Sequence, residues 1–181
     1  MSVSKSGLAY DTTRGAEGGG RNPLIPWVAT ILDVIPETAS GDVKTFIVEP
    51  DDPDFRAGFK YRPGQCAMLS VFGVGESMIS ITSSPSRPGP LEFSVKLVGK
   101  VTSALHEMEP GSKIGIRGPY GNWFPVDNWK GKNLAFIAGG IGLAPIRSLI
   151  NYCLDRRSDF ARVDIIYGAR SPGDLCFKRE I

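Results

Sequence analysis

Asn133-Leu134-Ala135-Phe136-Ile137-Ala138-Gly139-Gly140-Ile141-Gly142-Leu143-Ala144-Pro145-Ile146 is the stretch on which the fold turns. Residues 133–138 read as a continuous apolar strand, the pattern of a sheet buried on both faces. A glycine turn follows, then a helix over 146–155 and a second apolar strand over 163–167. A β-loop-α-β unit of this kind opens a doubly wound parallel domain. The turn lets bare backbone approach a ligand. The helix behind it aims free N–H groups and its positive end at the same place, which suits a pyrophosphate. Gly140, Gly142 and Pro145 make a G-x-G-x-x-P pattern, with Pro145 near the helix start, where a missing N–H costs nothing. Taken alone, the turn reads equally as a glycine-rich connection that binds nothing.

This second lobe is short. Residues 133 to 181 number 49, whereas a doubly wound nucleotide domain takes roughly 100 or more. Residues 177–181 read as the first turn of another helix. Two strands and one helix leave apolar faces uncovered, so the lobe is expected to be incomplete: a fragment, or a unit that a partner completes.

The character is different upstream of Asp127. Strands are predicted over 27–35, 43–49, 67–72, 78–82, 91–98 and 113–117, rich in β-branched residues and spaced by turns. Residues 92–97 (EFSVKL) alternate polar and apolar, as a strand with one wet face does. Six such strands suggest a small antiparallel barrel or sandwich. One short helix interrupts them, capped by Thr102 or Ser103 and stopped by Gly111. The expected organisation is a tail over 1–22, a barrel over 23–127 and the nucleotide lobe over 132–181. The tail, with few large apolar residues, reads as mobile or as a segment that orders only on a partner.

Composition narrows the function classes. The 181 residues are 41% apolar and 22% charged, ordinary for a globular protein. The 21 Lys and Arg against 19 Asp and Glu give +2, so no nucleic-acid role is supported. No apolar run is long enough to span a membrane. The 22 Gly and 14 Pro favour strands and turns over a helix bundle. Cys66, Cys153 and Cys176 lie far apart and form no C-x-x-C pair, so neither a disulfide framework nor a metal site is expected. With no leader-like N-terminus, this favours the cytoplasm. The single histidine, His106, sits beside Glu107 on the short helix, and the pair reads as a solvated face rather than an acid–base couple.

Four further motifs bear on function. Tyr61-Arg62-Pro63-Gly64-Gln65 is a turn before a strand. Met78-Ile79-Ser80-Ile81-Thr82-Ser83-Ser84-Pro85 carries hydroxyls that either bind a phosphate or satisfy the turn. Val98-Gly99-Lys100-Val101-Thr102 leads into the short helix, as a second phosphate cradle or an ordinary cap. Arg117-Gly118-Pro119-Tyr120-Gly121-Asn122-Trp123-Phe124 is a loop suited to a flat ligand, or an aromatic plug between lobes.

In this order the motifs resemble the ferredoxin–NADP reductase superfamily: an FAD-binding barrel, then a pyridine-nucleotide domain. The resemblance runs from residue 24 to 181. It is greatest to electron-transfer subunits of multi-protein redox complexes, such as those of cytoplasmic hydrogenases (the γ subunits), anaerobic sulfite reductase and dihydroorotate dehydrogenase. Carried over residue by residue, it implies FAD contacts at Arg62, Pro63, Gly64, Gln65, Met78, Ile79, Ser80, Ile81, Val95, Lys96, Gly99, Lys100, Val101, Thr102, Gly118, Pro119, Tyr120 and Gly121. It implies NAD(H) or NADP(H) over Gly139, Gly140, Ile141, Gly142, Leu143, Ala144, Pro145, Ala169 and Arg170. Hydride would pass from nicotinamide to flavin, then single electrons to an iron–sulfur protein, hydrogenase or reductase partner; no general acid or base is implied. The superfamily's Arg-x-Tyr-Ser is here Ser77-Met78-Ile79-Ser80, so the phosphate-pairing arginine and the ring-stacking tyrosine are absent. Lys100, Arg62 or Arg117 is left to supply the charge. The [2Fe–2S] cysteine cluster of the related C-terminal regions is not in this chain. Two other readings stay open: a flavin relay that does not use NAD(P)H, and a docking domain without flavin.

Overall fold

The computed structural model describes residues 22–180; the expected tail over 1–22 lies, but for its last residue, outside them. Six strands form one antiparallel sheet: β1 Trp27–Pro36, β2 Val43–Pro50, β3 Cys66–Val71, β4 Gly75–Ser80, β5 Leu91–Lys96 and β6 Lys113–Tyr120. Their order is β4-β3-β6-β1-β2-β5. The sheet curls until its two edge strands nearly meet, joined by a single bridge between Ile81 and Phe93. Alternate residues turn inward: Leu91, Phe93 and Val95 from β5, Ala67 and Leu69 from β3, Ile114 and Ile116 from β6, all buried.

Two short helices interrupt the strands. α1, Pro53–Gly58, begins where Asp52 accepts the Phe55 N–H at 2.8 Å and Pro53 takes the first helical position. The Asp-Pro pair is itself a helix-start signal, although the sequence reading above assigns no helix there. α2 spans Lys100–His106, with Gly99 as its cap rather than Thr102 or Ser103. Thr102 instead reaches back: its hydroxyl accepts from Gly99 N (2.8 Å) and Val98 N (3.0 Å) and donates to Gly99 O. Leu105, fully buried, plugs the barrel from this helix.

The second lobe has β7 Leu134–Gly139 parallel to β8 Val163–Gly168, joined through α3 Leu143–Asp155. Phe136, Leu143, Leu149, Ile150, Cys153 and Phe160 form its core, which Val43 of the barrel joins. The expectation of burial on both faces of the sheet is overturned. Ile137 is 73% and Ile166 59% exposed, because α3 covers one face and nothing among the described residues covers the other. The expected helix at 177–181 is also absent up to residue 180. Phe177 sits at φ +58, a conformation that ends helices, and a single bond from Glu180 N to Phe177 O closes a turn there. No helix among the described residues is long and apolar enough to cross a membrane.

Candidate functional site

The barrel's open seam is the first feature that can take a ligand. Below the Ile81–Phe93 bridge, β4 and β5 are both sheet edges, and edges present unpaired backbone N–H and C=O groups. Along β4, Ile79 and Ile81 pack into the core, with Ile81 only 1% exposed; only their backbones are offered to a ligand. Met78, 59% exposed, and the half-buried Ser80 face outward. On β5, Val95 is core and its carbonyl is taken by His106 Nε2 at 2.9 Å. His106 also meets the Phe46 ring edge-on. It is therefore a structural strut, whereas Glu107 is exposed as expected.

The upper end of the seam is a rigid frame. Cys66 pairs with Ser80 on one side and Tyr120 on the other, which sets three strands' ends level. Gln65 ties the turn to the loop: its Oε1 accepts Arg62 N at 2.9 Å and its Nε2 donates to Gly121 O at 3.1 Å. Phe124 N donates to Pro63 O. Gly64 lies at φ +96, and a Cβ there would meet the Phe124 ring at 2.7 Å. A Cβ on Gly118 or Gly121 would press on Ala67 or the Cys66 thiol at 3.3 Å. These three glycines thus serve the packing of the frame. Phe124 also packs with Trp129 into the second core, as a plug between lobes does.

The cations divide. Arg117 is committed: its guanidinium bonds both carboxylate oxygens of Glu76, and Ser70 donates to the same carboxylate. That hydrogen bond from Arg117 holds the Glu76 carboxyl below its usual range. Lys100 is exposed and has no ion pair among the described residues. Arg62 lies 4.4 Å over the exposed Trp123 ring. The Ser83 and Ser84 hydroxyls are spent on Tyr61, Glu92 N and Ser86, so that turn satisfies itself. Thr102 is spent likewise.

The second feature is the glycine turn. β7 and β8 end level, Gly139 opposite Gly168. Gly140, at φ +51, begins a 3-10 turn over Gly140–Gly142. α3 then starts two residues before Pro145, its first turn carrying no side-chain cap. An added Cβ would meet nothing within 4 Å at Gly99, Gly140, Gly142 or Gly168. Open space over bare backbone at an uncapped helix start is what a phosphate requires, so the residues present fit a dinucleotide. Leu143 and Ala144 are buried and secure the helix rather than face the space.

A cavity of about 570 Å³ opens beside the glycine turn and reaches the seam strand β5 at Lys96. Gly139, Gly140, Ile141, Gly168, Ala169 and Arg170 line one side; Thr38, Asp42, Val43 and Lys96 of the barrel line the other. Lys96 stands at the end of the seam strand, 3.7 Å from Asp42. Hydrogen bonds from Thr38, then Ser40, hold the Asp42 carboxyl below its ordinary value.

Residues that sequence reasoning missed hold the lobes together. Arg147 of α3 bonds Glu92 of β5, Glu180 and the Thr82 carbonyl, with its face 4.9 Å from the Phe177 ring. Arg87 and Ser86 bond Asp155. Glu37 accepts Phe177 N at 2.7 Å. The one available signal was a charged residue, Arg147, set among the apolar positions of a buried helix.

Comparison with known proteins agrees with this geometry. A family model described as an oxidoreductase FAD-binding domain matches residues 34–124, and one described as an oxidoreductase NAD-binding domain matches 136–181. The chain is 42% identical over 138 residues to sulfhydrogenase 1 subunit gamma of Pyrococcus furiosus, covering 76% of this chain and 47% of that protein. It is 36% identical over 153 residues to the "Probable dihydroorotate dehydrogenase B (NAD(+)), electron transfer subunit" of Methanocaldococcus jannaschii, covering 84% and 51%. The chain thus spans about half the length of these relatives. Among solved structures, an Amycolatopsis cytochrome P450 reductase superposes with a TM-score of 0.71 at 25% identity, covering 84% of this chain and 46% of that one. Ferredoxin-NADP+ reductase from Plasmodium falciparum shares the fold, with a TM-score of 0.70 at 20% identity over 86% of this chain and 63% of that one. An open-seamed barrel, a glycine turn behind it and these matches have one meaning: the chain belongs to the oxidoreductase FAD-binding domain family and carries an NAD-binding domain sequence after it.

Proposed function

We propose that the chain belongs to a flavin-containing electron-transfer subunit of a multi-subunit redox complex. It would pass electrons between NAD(H) or NADP(H) and an iron–sulfur or other redox partner in the cytoplasm. The observation that carries this is the cavity joining the seam strand at Lys96 to the glycine turn at Gly139 and Gly140. Two ligands, one at each feature, would meet inside it. The relatives named as gamma or electron transfer subunits support the same reading.

Bound FAD supplies hydride acceptance from a reduced nicotinamide and release of electrons one at a time. The protein's part is position and electrostatics. The free edges of β4 and β5 offer backbone groups to the flavin ring's own donors and acceptors. The backbone at Gly99 and the Lys100 cation stand where phosphates would lie, replacing the arginine missing at Ser77. Leu105 and the barrel core keep water from the inner side of the seam. The glycine turn and the start of α3 receive the second nucleotide's pyrophosphate, and Lys96 faces it across the cavity. We place the change from barrel to nucleotide lobe at residues 126–131.

The test is anaerobic addition of NADH, then NADPH, to the purified FAD-loaded full-length protein. Bleaching of the flavin bands by either supports the reading. A flavin that stays oxidised with both would favour a relay subunit, and a protein that takes up no FAD would refute the proposal.

A further inference from the structure

The hydroxyl of Tyr167, at the end of β8, stands between two backbone groups. It donates to Gly140 O at 3.0 Å and accepts from Cys176 N at 3.0 Å. The direction is fixed: the Cys176 N–H has only a proton to give, so the phenol proton points to Gly140. The same Gly140 carbonyl also accepts from Leu143 N. Both of its lone pairs are engaged on the inner side of the turn.

In a trans peptide the C=O and the following N–H point in opposite directions. Holding the Gly140 carbonyl inward therefore turns the Ile141 N–H outward. Gly140 and Ile141 both line the interlobe cavity. Gly140 has no Cβ to limit its rotation, and a Cβ built there would meet nothing within 4 Å. Without the Tyr167 hydroxyl only the Leu143 N–H would hold this carbonyl, and the peptide would sample other orientations more freely.

We infer that Tyr167 is a positioning residue, locking the Gly140–Ile141 peptide with its N–H toward the cavity so that the turn is preorganised for a dinucleotide's phosphate. The inference rests on the proposed nucleotide site. The lock is itself braced from the barrel. Phe177 N, beside Cys176, donates to Glu37 Oε2, and Ala39 N donates to Gly173 O. Burial pushes the Tyr167 phenol up, which keeps it a donor. The residue touches none of the reacting atoms, and its effect passes through one peptide plane.

The experiment titrates the FAD-loaded protein with ADP-ribose by calorimetry and follows the Ile141 amide by NMR. Tyr167→Phe removes one oxygen and should weaken ADP-ribose by about five- to tenfold, the worth of one preorganising hydrogen bond. Its Ile141 amide should shift and exchange faster, while FAD affinity stays at the wild-type value. Unchanged ADP-ribose affinity, or equal losses for ADP-ribose and FAD, would overturn the inference. Should the variant not fold, the wild type still decides. Inorganic pyrophosphate should shift the Ile141 amide strongly and the Cys176 amide little; the reverse pattern refutes the lock. Failure of wild-type protein to bind ADP-ribose at all would instead refute the nucleotide site itself, and the inference with it.

Discussion

Arg147→Met should loosen the second lobe from the barrel without unfolding either. The substitution keeps most of the side chain's volume and removes its charge. Arg147 is only 12% exposed, and its partners Glu92 and Glu180 are 27% and 42% exposed. A fully buried pair loses about 3–5 kcal/mol when one partner is removed, and an exposed pair about 0–1 kcal/mol. Here the cation is buried and both carboxylates can rehydrate, so the expected loss is intermediate, about 2–3 kcal/mol. For a domain of this size that is a fall in Tm of roughly 5–10 °C. Scanning calorimetry gives the size, and hydrogen exchange gives the place. Amides of α3 and β7 should exchange faster while those of β1, β3 and β6 hold their protection. Arg147→Lys should recover part of the loss, since one ammonium cannot serve Glu92, Glu180 and the Thr82 carbonyl together. A Tm within about 1 °C of wild type, or equal loss of protection in both lobes, would refute the clamp.

Gly64→Ala places a methyl at 2.7 Å from the Phe124 ring at φ +96. It should cost about 2–4 kcal/mol by strain and overpacking together, measured by urea unfolding, and a loss under about 0.5 kcal/mol would show the frame to be soft. Burial pushes the Cys153 thiol up to about 11, so native protein at pH 8 should leave this thiol unreactive to a disulfide reagent and expose it only on unfolding. The hydrogen bond from Arg87 holds the Asp155 carboxyl below its ordinary value, against the burial that works the other way. That contribution to stability is present above pH of about 4 and is lost as pH falls through the lowered folded value. Asp155→Asn should accordingly remove part of the wild type's loss of stability below pH of about 4, leaving the share carried by Asp42, Asp51 and Glu76, whose carboxyls are also held low.

The strands were legible because the apolar Phe93 and Val95, or Leu69 and Val71, alternate with polar residues, and a period of two marks a strand; that the intervening Ser94 and Ser70 are themselves buried leaves no such mark. The glycine turn was legible because Gly140, Gly142 and Pro145 are types that suit such a turn. What could not be read was contact across sequence distance. Arg147 meets Glu92 from 55 positions away, and Glu37 meets Phe177 from 140. Neither leaves a local pattern. The same limit explains the Arg117 expectation: Glu76, 41 positions upstream, takes its charge. Burial of β7 was misjudged because an apolar run says only that a strand is suited to cover, not that the described residues supply it. The roles of Gly64, Gly118 and Gly121 were hidden because a glycine that makes room for Phe124 or Cys66 looks identical in sequence to one that makes room for a phosphate.

Equilibrium titration of the flavin-free chain with FAD, read together with amide exchange, tests most directly whether the seam between β4 and β5 holds FAD. FAD seated in the seam should give binding of one FAD per chain, quenched flavin fluorescence, and slowed exchange confined to residues 77–82 and 94–102. No binding, or protection that falls on β1 and β2 and leaves the seam unchanged, would contradict it.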